Sequence, residues 1–144
     1  YKVSLIEENI RRHQVTNMTA EQWDARVSDK GSIGKADVVI ADLPCSGLGV
    51  LRKKPDIKYR MQPEDIKSLI ALQREILSTV HQYVKPGGRM IYSTCTIDAG
   101  ENEENVAWFT ANHKEFEVES MEQILPDELG SDGFFIARLR KQNV

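Results

Sequence analysis

Long apolar runs are missing from this chain of 144 residues. The longest stretches are a few residues, far short of the about 20 that span a bilayer, and the first residues lack the apolar core of a secretory leader. A cytoplasmic protein without a membrane segment is the expectation. Cysteine is scarce as well: Cys45 and Cys95 are the only two, and they lack C-x-x-C spacing. That pattern argues against a disulfide framework or a thiolate zinc site and for reduced thiols. Three histidines, His13, His81 and His113, are scattered through polar helical patterns, which predicts exposed side chains and no metal site. An excess of positive charge is also absent, with 19 Lys and Arg against 22 Asp and Glu and a net charge of -3.

What is present is one soluble domain's worth of chain, 28% charged and 40% hydrophobic, long enough to bury a real core. The charge is unevenly spread. Arg52, Lys53, Lys54, Lys58 and Arg60 crowd a short segment opposed only by Asp56, whereas residues 98–132 are strongly acidic. For contact with a polyanion the local distribution matters more than the sum, so the basic cluster is a candidate phosphate-binding surface.

Elements alternate along the chain. Residues 2–13 place Val3, Leu5, Ile6 and Ile10 on one helical face, and residues 15–20 suggest a strand. Gly31 to Gly34 reads as a loop before a strand at 37–41. Pro63 and Glu64 open a long helix to about residue 84, with a stripe of Ile66, Leu69, Ile70, Leu72, Ile76, Leu77 and Val80, ended by Pro86-Gly87-Gly88. A strand at 89–93 follows, then a helix over 101–112, and residues 116–120 and 134–140 form a predicted antiparallel pair. The fold class is α/β.

Each cysteine follows an apolar, strand-like run: Val38-Val39-Ile40-Ala41 before Cys45, and Arg89-Met90-Ile91-Tyr92-Ser93 before Cys95. In open α/β sheets ligands collect beyond the carboxyl ends of the strands, so two thiols in those places face one crevice. Asp42, at the mouth of the first of these strands, is a carboxylate positioned to accept hydrogen bonds from an amine.

The stretch Asp42-Leu43-Pro44-Cys45-Ser46-Gly47, with Gly49, Arg52, Lys53, Pro55 and Asp56, resembles the fourth motif of the Sun-type RNA (cytosine-5) methyltransferases. Tyr92-Ser93-Thr94-Cys95-Thr96, with Glu101, Asn102 and Asn105, resembles their sixth, and Asp132-Gly133-Phe134-Phe135 resembles the end of the catalytic domain. The likeness runs from about residue 15 to 140. It implies a Rossmann-like class I fold, S-adenosylmethionine as cofactor and small-subunit ribosomal RNA as partner. It also implies Cys95 as the nucleophile that adds to C6 of cytosine, with Cys45 assisting release. By the same likeness Asp24 and Asp42 contact the cofactor, Asp42 and Pro44 the target amine, and Arg52, Lys53 and Lys54 the RNA. The glycines of Ser46-Gly47-Leu48-Gly49 are expected to allow close approach of RNA.

The glycine-rich cofactor motif of such enzymes does not occur in this chain, where only Gly31 and Gly34 precede Asp42. The resemblance therefore implies a single partial catalytic domain, the C-terminal portion of the fold without its first two strands and inactive alone. With a family sheet order of 3-2-1-4-5-7-6, the strand at 37–41 is left with an open edge, and self-association through that edge is expected. Two other readings stand beside this one. The first is a non-catalytic RNA-binding or assembly module of the same shape. The second is an exocyclic-amine methyltransferase, which carries an aromatic residue where Cys45 stands.

Overall fold

A computed structural model describes residues 1–143. Its centre is a four-stranded mixed sheet of β1 (Ala36–Asp42), β2 (Val84–Thr94), β3 (Phe116–Ile124) and β4 (Phe134–Lys141), in the spatial order β1-β2-β4-β3. β1 and β2 run parallel, while β4 lies antiparallel between β2 and β3. This corresponds to the 4-5-7-6 half of the expected family order, so the sheet is the C-terminal part of a class I methyltransferase fold.

The helices are α1 (Lys2–Arg12), a single turn α2 (Ile57–Arg60), α3 (Pro63–Val80) and α4 (Glu103–Asn112). A capping box starts α3: the Gln62 backbone N–H donates to Asp65 Oδ2 at 2.9 Å, and Pro63 occupies the first turn, where its missing N–H costs nothing. α3 and α4 both cover one face of the sheet. Ile76 and Leu77 of α3 and Val106 and Phe109 of α4 meet Met90, Tyr92, Phe135, Ala137 and Leu139 in one continuous core. Each of the larger aliphatic and phenyl side chains in this list contributes roughly 1.5–3 kcal/mol through burial. Side chains alternate across the strands, so Val38 and Ile40 point to the opposite face, where they are 53% and 71% exposed. On that face Glu119 bridges Arg89 and Arg138, each at 2.9 Å. Among the described residues no helix is long and apolar enough to cross a membrane.

Several expectations are corrected. Residues 15–20 form no strand, and their side chains are mostly exposed. A strand needs a hydrogen-bonding neighbour, and β1, the one open edge near this segment's end of the sheet, does not pair with it. The long helix stops at Val80, followed by a 3-10 turn, and Pro86-Gly87-Gly88 lies inside β2 instead of serving as a terminator. The cost of a proline in an inner strand is absorbed by a register irregularity between Ala36 and Val38. β3 extends to Ile124, well beyond residue 120. Of the three histidines only His13 is exposed; the His81 and His113 rings lie against each other with centroids 4.1 Å apart and planes tilted by 44°.

Candidate active site

β1 and β2 are adjacent and parallel, with Asp42 opposite Ser93, so the chain leaves both strands at the same edge of the sheet. Leu43 continues the ladder for one step, its N–H donating to the Ser93 carbonyl at 3.2 Å, before Pro44 turns the chain. The thiols of Cys45 and Cys95 then lie 3.2 Å apart, both half-buried and unoxidised, and the Cys95 backbone N–H points at Cys45 Sγ from 3.3 Å. Burial, and then the neighbouring Cys95 sulfur, push the Cys45 thiol up to about 12. Cys45 therefore holds its proton at neutral pH.

The two cysteine loops are joined by a buried polar network. Glu101, fully buried, accepts from the Ser46 backbone N–H at 2.8 Å, from Ser46 Oγ at 2.6 Å and from Gln73 Nε2 at 3.1 Å. Gln73 Nε2 also donates to the Pro44 carbonyl at 2.9 Å, so this oxygen is turned into the protein. Asn105 Nδ2 donates to Gln73 Oε1 at 2.8 Å, and Arg74 Nε donates to Asn105 Oδ1 at 2.9 Å. On the other side Thr94 donates to Asn102 Oδ1 at 2.6 Å, while Asn102 Nδ2 reaches the Thr96 carbonyl at 2.9 Å and Gln123 Oε1 at 2.7 Å. With so many matched donors around it, a buried carboxylate fixes loop geometry and leaves few polar groups stranded.

Gly49 completes the enclosure. Its N–H donates to the Cys95 carbonyl at 3.0 Å, and its carbonyl accepts from Gly133 N–H at 2.8 Å. A side chain here would start 2.3 Å from the Gly133 oxygen and 2.7 Å from the Cys95 oxygen, so only glycine fits. The expectation that the glycines of this loop admit RNA is thus corrected at Gly49, which is buried and admits the protein's own backbone.

Asp42 is exposed and accepts from Ser93 Oγ at 3.0 Å on Oδ1, which leaves Oδ2 available. Asp24 is not drawn into the cysteine cluster by any of its hydrogen bonds. Both of its oxygens are taken by Arg26, at 3.0 and 2.8 Å, and this pairing pulls its carboxyl down to about 2. The Arg26 carbonyl accepts from Thr79 of α3, which anchors that turn. The basic cluster is partly neutralised: Arg52 pairs with Asp127, Lys53 with Asp132 at 2.8 Å, and Arg60 with Asp56. Among the described residues Lys54 and Lys58 form no ion pair.

The motifs named Glu101, Asn102 and Asn105 without assigning them work, and Gln73 and Gln123 were missed. Gln73 carried a signal, since it interrupts an apolar stripe at the spacing of Leu69, Ile76 and Val80. A polar residue at that position needs a buried partner.

Comparison with known proteins agrees with this geometry. A family model described as 16S rRNA methyltransferase RsmB/F matches residues 1–140. The probable ribosomal RNA small subunit methyltransferase B of Bacillus subtilis is 39% identical over 99% of the chain and 36% of its own length. The ribosomal RNA small subunit methyltransferase F of Cronobacter sakazakii is 33% identical over 97% of the chain and 33% of its length. Among solved structures, NSun6 from Pyrococcus horikoshii with SFG superposes with a TM-score of 0.75 and 28% identity, covering 94% of this chain and 38% of that one. The chain spans about a third of the length of the curated relatives it matches. With nearly its whole length matched and its cysteine loops assembled at one sheet edge, the chain belongs to the RsmB/F family of 16S rRNA methyltransferases.

Proposed function

We propose that this chain is the thiol-bearing part of an S-adenosylmethionine-dependent methyltransferase that modifies C5 of a cytosine in small-subunit ribosomal RNA. The observation that carries this reading is the 3.2 Å separation of the Cys45 and Cys95 sulfurs at the ends of adjacent parallel strands. Methylating C5 requires a nucleophile at C6, because the ring carbon alone is too weakly nucleophilic. Cys95 takes that role: its sulfur bonds to C6, the C5–C6 π pair moves to C5, and C5 becomes reactive toward an electrophile. S-adenosylmethionine, when bound, supplies the methyl group. After methyl transfer the C5 proton passes to solvent water, its electron pair re-forms the C5–C6 double bond, and the C6–S bond breaks to release the Cys95 sulfur. Cys45 keeps its proton at neutral pH, which makes it a poor nucleophile and leaves the attack to Cys95, while its place 3.2 Å from that sulfur suits a part in release.

The residues present fit an amine-bearing cofactor and base. Asp42 offers a free oxygen at the strand mouth, where the target amine or the cofactor's amino group can donate. Asp24 accepts an adenine amine only by sharing with Arg26. Pro44 contributes turn geometry, since its carbonyl is held by Gln73. A cytoplasmic setting suits two neighbouring thiols that must stay reduced. The chain acts as a single partial catalytic domain and depends on the rest of the protein for activity.

The test is covalent trapping in the whole protein with 16S rRNA and S-adenosylmethionine. Cys45→Ser is expected to accumulate an RNA–protein adduct that survives denaturing electrophoresis, and Cys95→Ser to give neither adduct nor product. Normal 5-methylcytosine formation by Cys95→Ser refutes the reading, and a complete lack of adduct points to the non-catalytic module.

A further inference from the structure

We propose that His81, His113 and Glu115 form a structural site for a divalent transition metal, zinc by the chemistry of its donors. His81 follows the last residue of α3, while His113 and Glu115 sit two residues apart in the turn between α4 and β3, so two segments some thirty positions apart in sequence meet at one point. One nitrogen or oxygen from each of the three lies within 4.8 Å of the others. Nδ1 of His81 and Nδ1 of His113 each stand 3.8 Å from Glu115 Oε1.

That spacing is too long for a hydrogen bond. It is close to the about 3.3–3.5 Å that neighbouring ligands keep around a tetrahedral ion with bonds of about 2.0–2.2 Å. A second observation is that His81 Nδ1 is buried without any hydrogen-bond partner. An orphaned imidazole nitrogen inside a protein costs free energy unless something ligates it.

The surroundings suit a structural ion. Phe109 and Phe116 flank the His81 ring at 5.8 and 6.0 Å, giving a dry wall on one side. The Lys141 ammonium is held by the Val84 carbonyl at 3.0 Å. Glu115 is partly exposed, leaving the fourth position open to water. Two imidazoles and one carboxylate select zinc and its neighbours over magnesium or calcium. The site lies beside Val84, where β2 begins, whereas the thiols lie just past its end. An ion there ties the ends of α3 and α4 to the start of β3.

The experiment uses the whole chain carrying Cys45→Ser and Cys95→Ser, so that no thiolate competes for the ion. After metal stripping, the protein is titrated with zinc chloride by equilibrium dialysis and by thermal unfolding. One zinc per chain and a raised Tm are expected. In that background His113→Gln and Glu115→Gln weaken binding by about tenfold or more, and His13→Gln leaves it unchanged. Both test positions are more exposed than His81, and circular dichroism verifies that the variants fold. Zinc binding that His113→Gln and Glu115→Gln leave intact overturns the proposal, as does the absence of stoichiometric binding.

Discussion

Ser46 and Glu101 are joined twice, by a backbone N–H at 2.8 Å and a hydroxyl at 2.6 Å, across fifty-five positions of sequence. The loop that presents Cys45 is thereby attached to the segment that follows Cys95. Replacing Glu101 with Gln keeps the volume but turns an amide N–H₂ toward groups that themselves donate. The expected loss is about 2–4 kcal/mol, read as a lower urea midpoint at unchanged m. Alkylation of Cys45 by iodoacetamide should accelerate in the same variant, since its cover loosens. Unchanged stability and reactivity would mean that the network is ornamental.

The elevated Cys45 thiol sets an alkaline limit. Its ordinary value is 9.0 and its folded value about 12, so above pH 9 the unfolded chain loses a proton that the native state keeps. Stability is then fully present below pH 9 and declines as pH rises toward 12. Tyr92, also raised by burial, acts in the same direction. Discounted for partial exposure, the Cys45 share is about 1–2 kcal/mol. Denaturation midpoints between pH 8 and about pH 11 should fall in the parent and fall less in Cys45→Ala. Parallel curves would count against the shifted thiol.

Electrostatics toward RNA should divide the basic cluster in two. Lys54 and Lys58 are free to release counterions from phosphates, and replacing each with alanine in the whole protein is expected to reduce the salt slope by about 0.7–0.9. Arg52 and Lys53 already face Asp127 and Asp132, so their removal should change the slope less and loosen residues 125–133 more. Filter binding over a range of potassium chloride, with limited proteolysis of the loop, separates the two effects. Equal slope changes at all four positions would show that the ion pairs open on contact.

The open edge of β1 carries an exposed Ile40 beside unpaired backbone. In the isolated chain this edge is expected to pair with a second copy, and Ile40→Lys should raise the dimer dissociation constant by about tenfold or more, as charge does at strand edges. Sedimentation equilibrium at several concentrations measures it. A parent chain that is monomeric throughout removes the expectation.

Much of the layout was legible in the sequence, because apolar runs of strand length ended shortly before each cysteine and an apolar stripe marked α3. Parallel pairing of β1 and β2 followed from that pattern, and with it the meeting of the two thiols. Residues 15–20 misled because strand propensity is local, while a strand exists only through its neighbour. Glu101 and Gln73 are buried by each other, and no single-residue property announces such a match. His81 and His113 come together because α3 and α4 end side by side, a fact of tertiary packing. The acidic and basic segments looked like opposed surfaces in the sequence, yet Lys53 and Asp132 bond across them.

The position of β4 bears on the order of events during synthesis. Residues 134–141 fill the gap between β2 and β3, so the strand that leads to Cys95 stays half-paired until the ribosome has delivered them. Until then the two sulfurs stand outside any finished crevice, beside a β2 edge that has no partner on the β4 side.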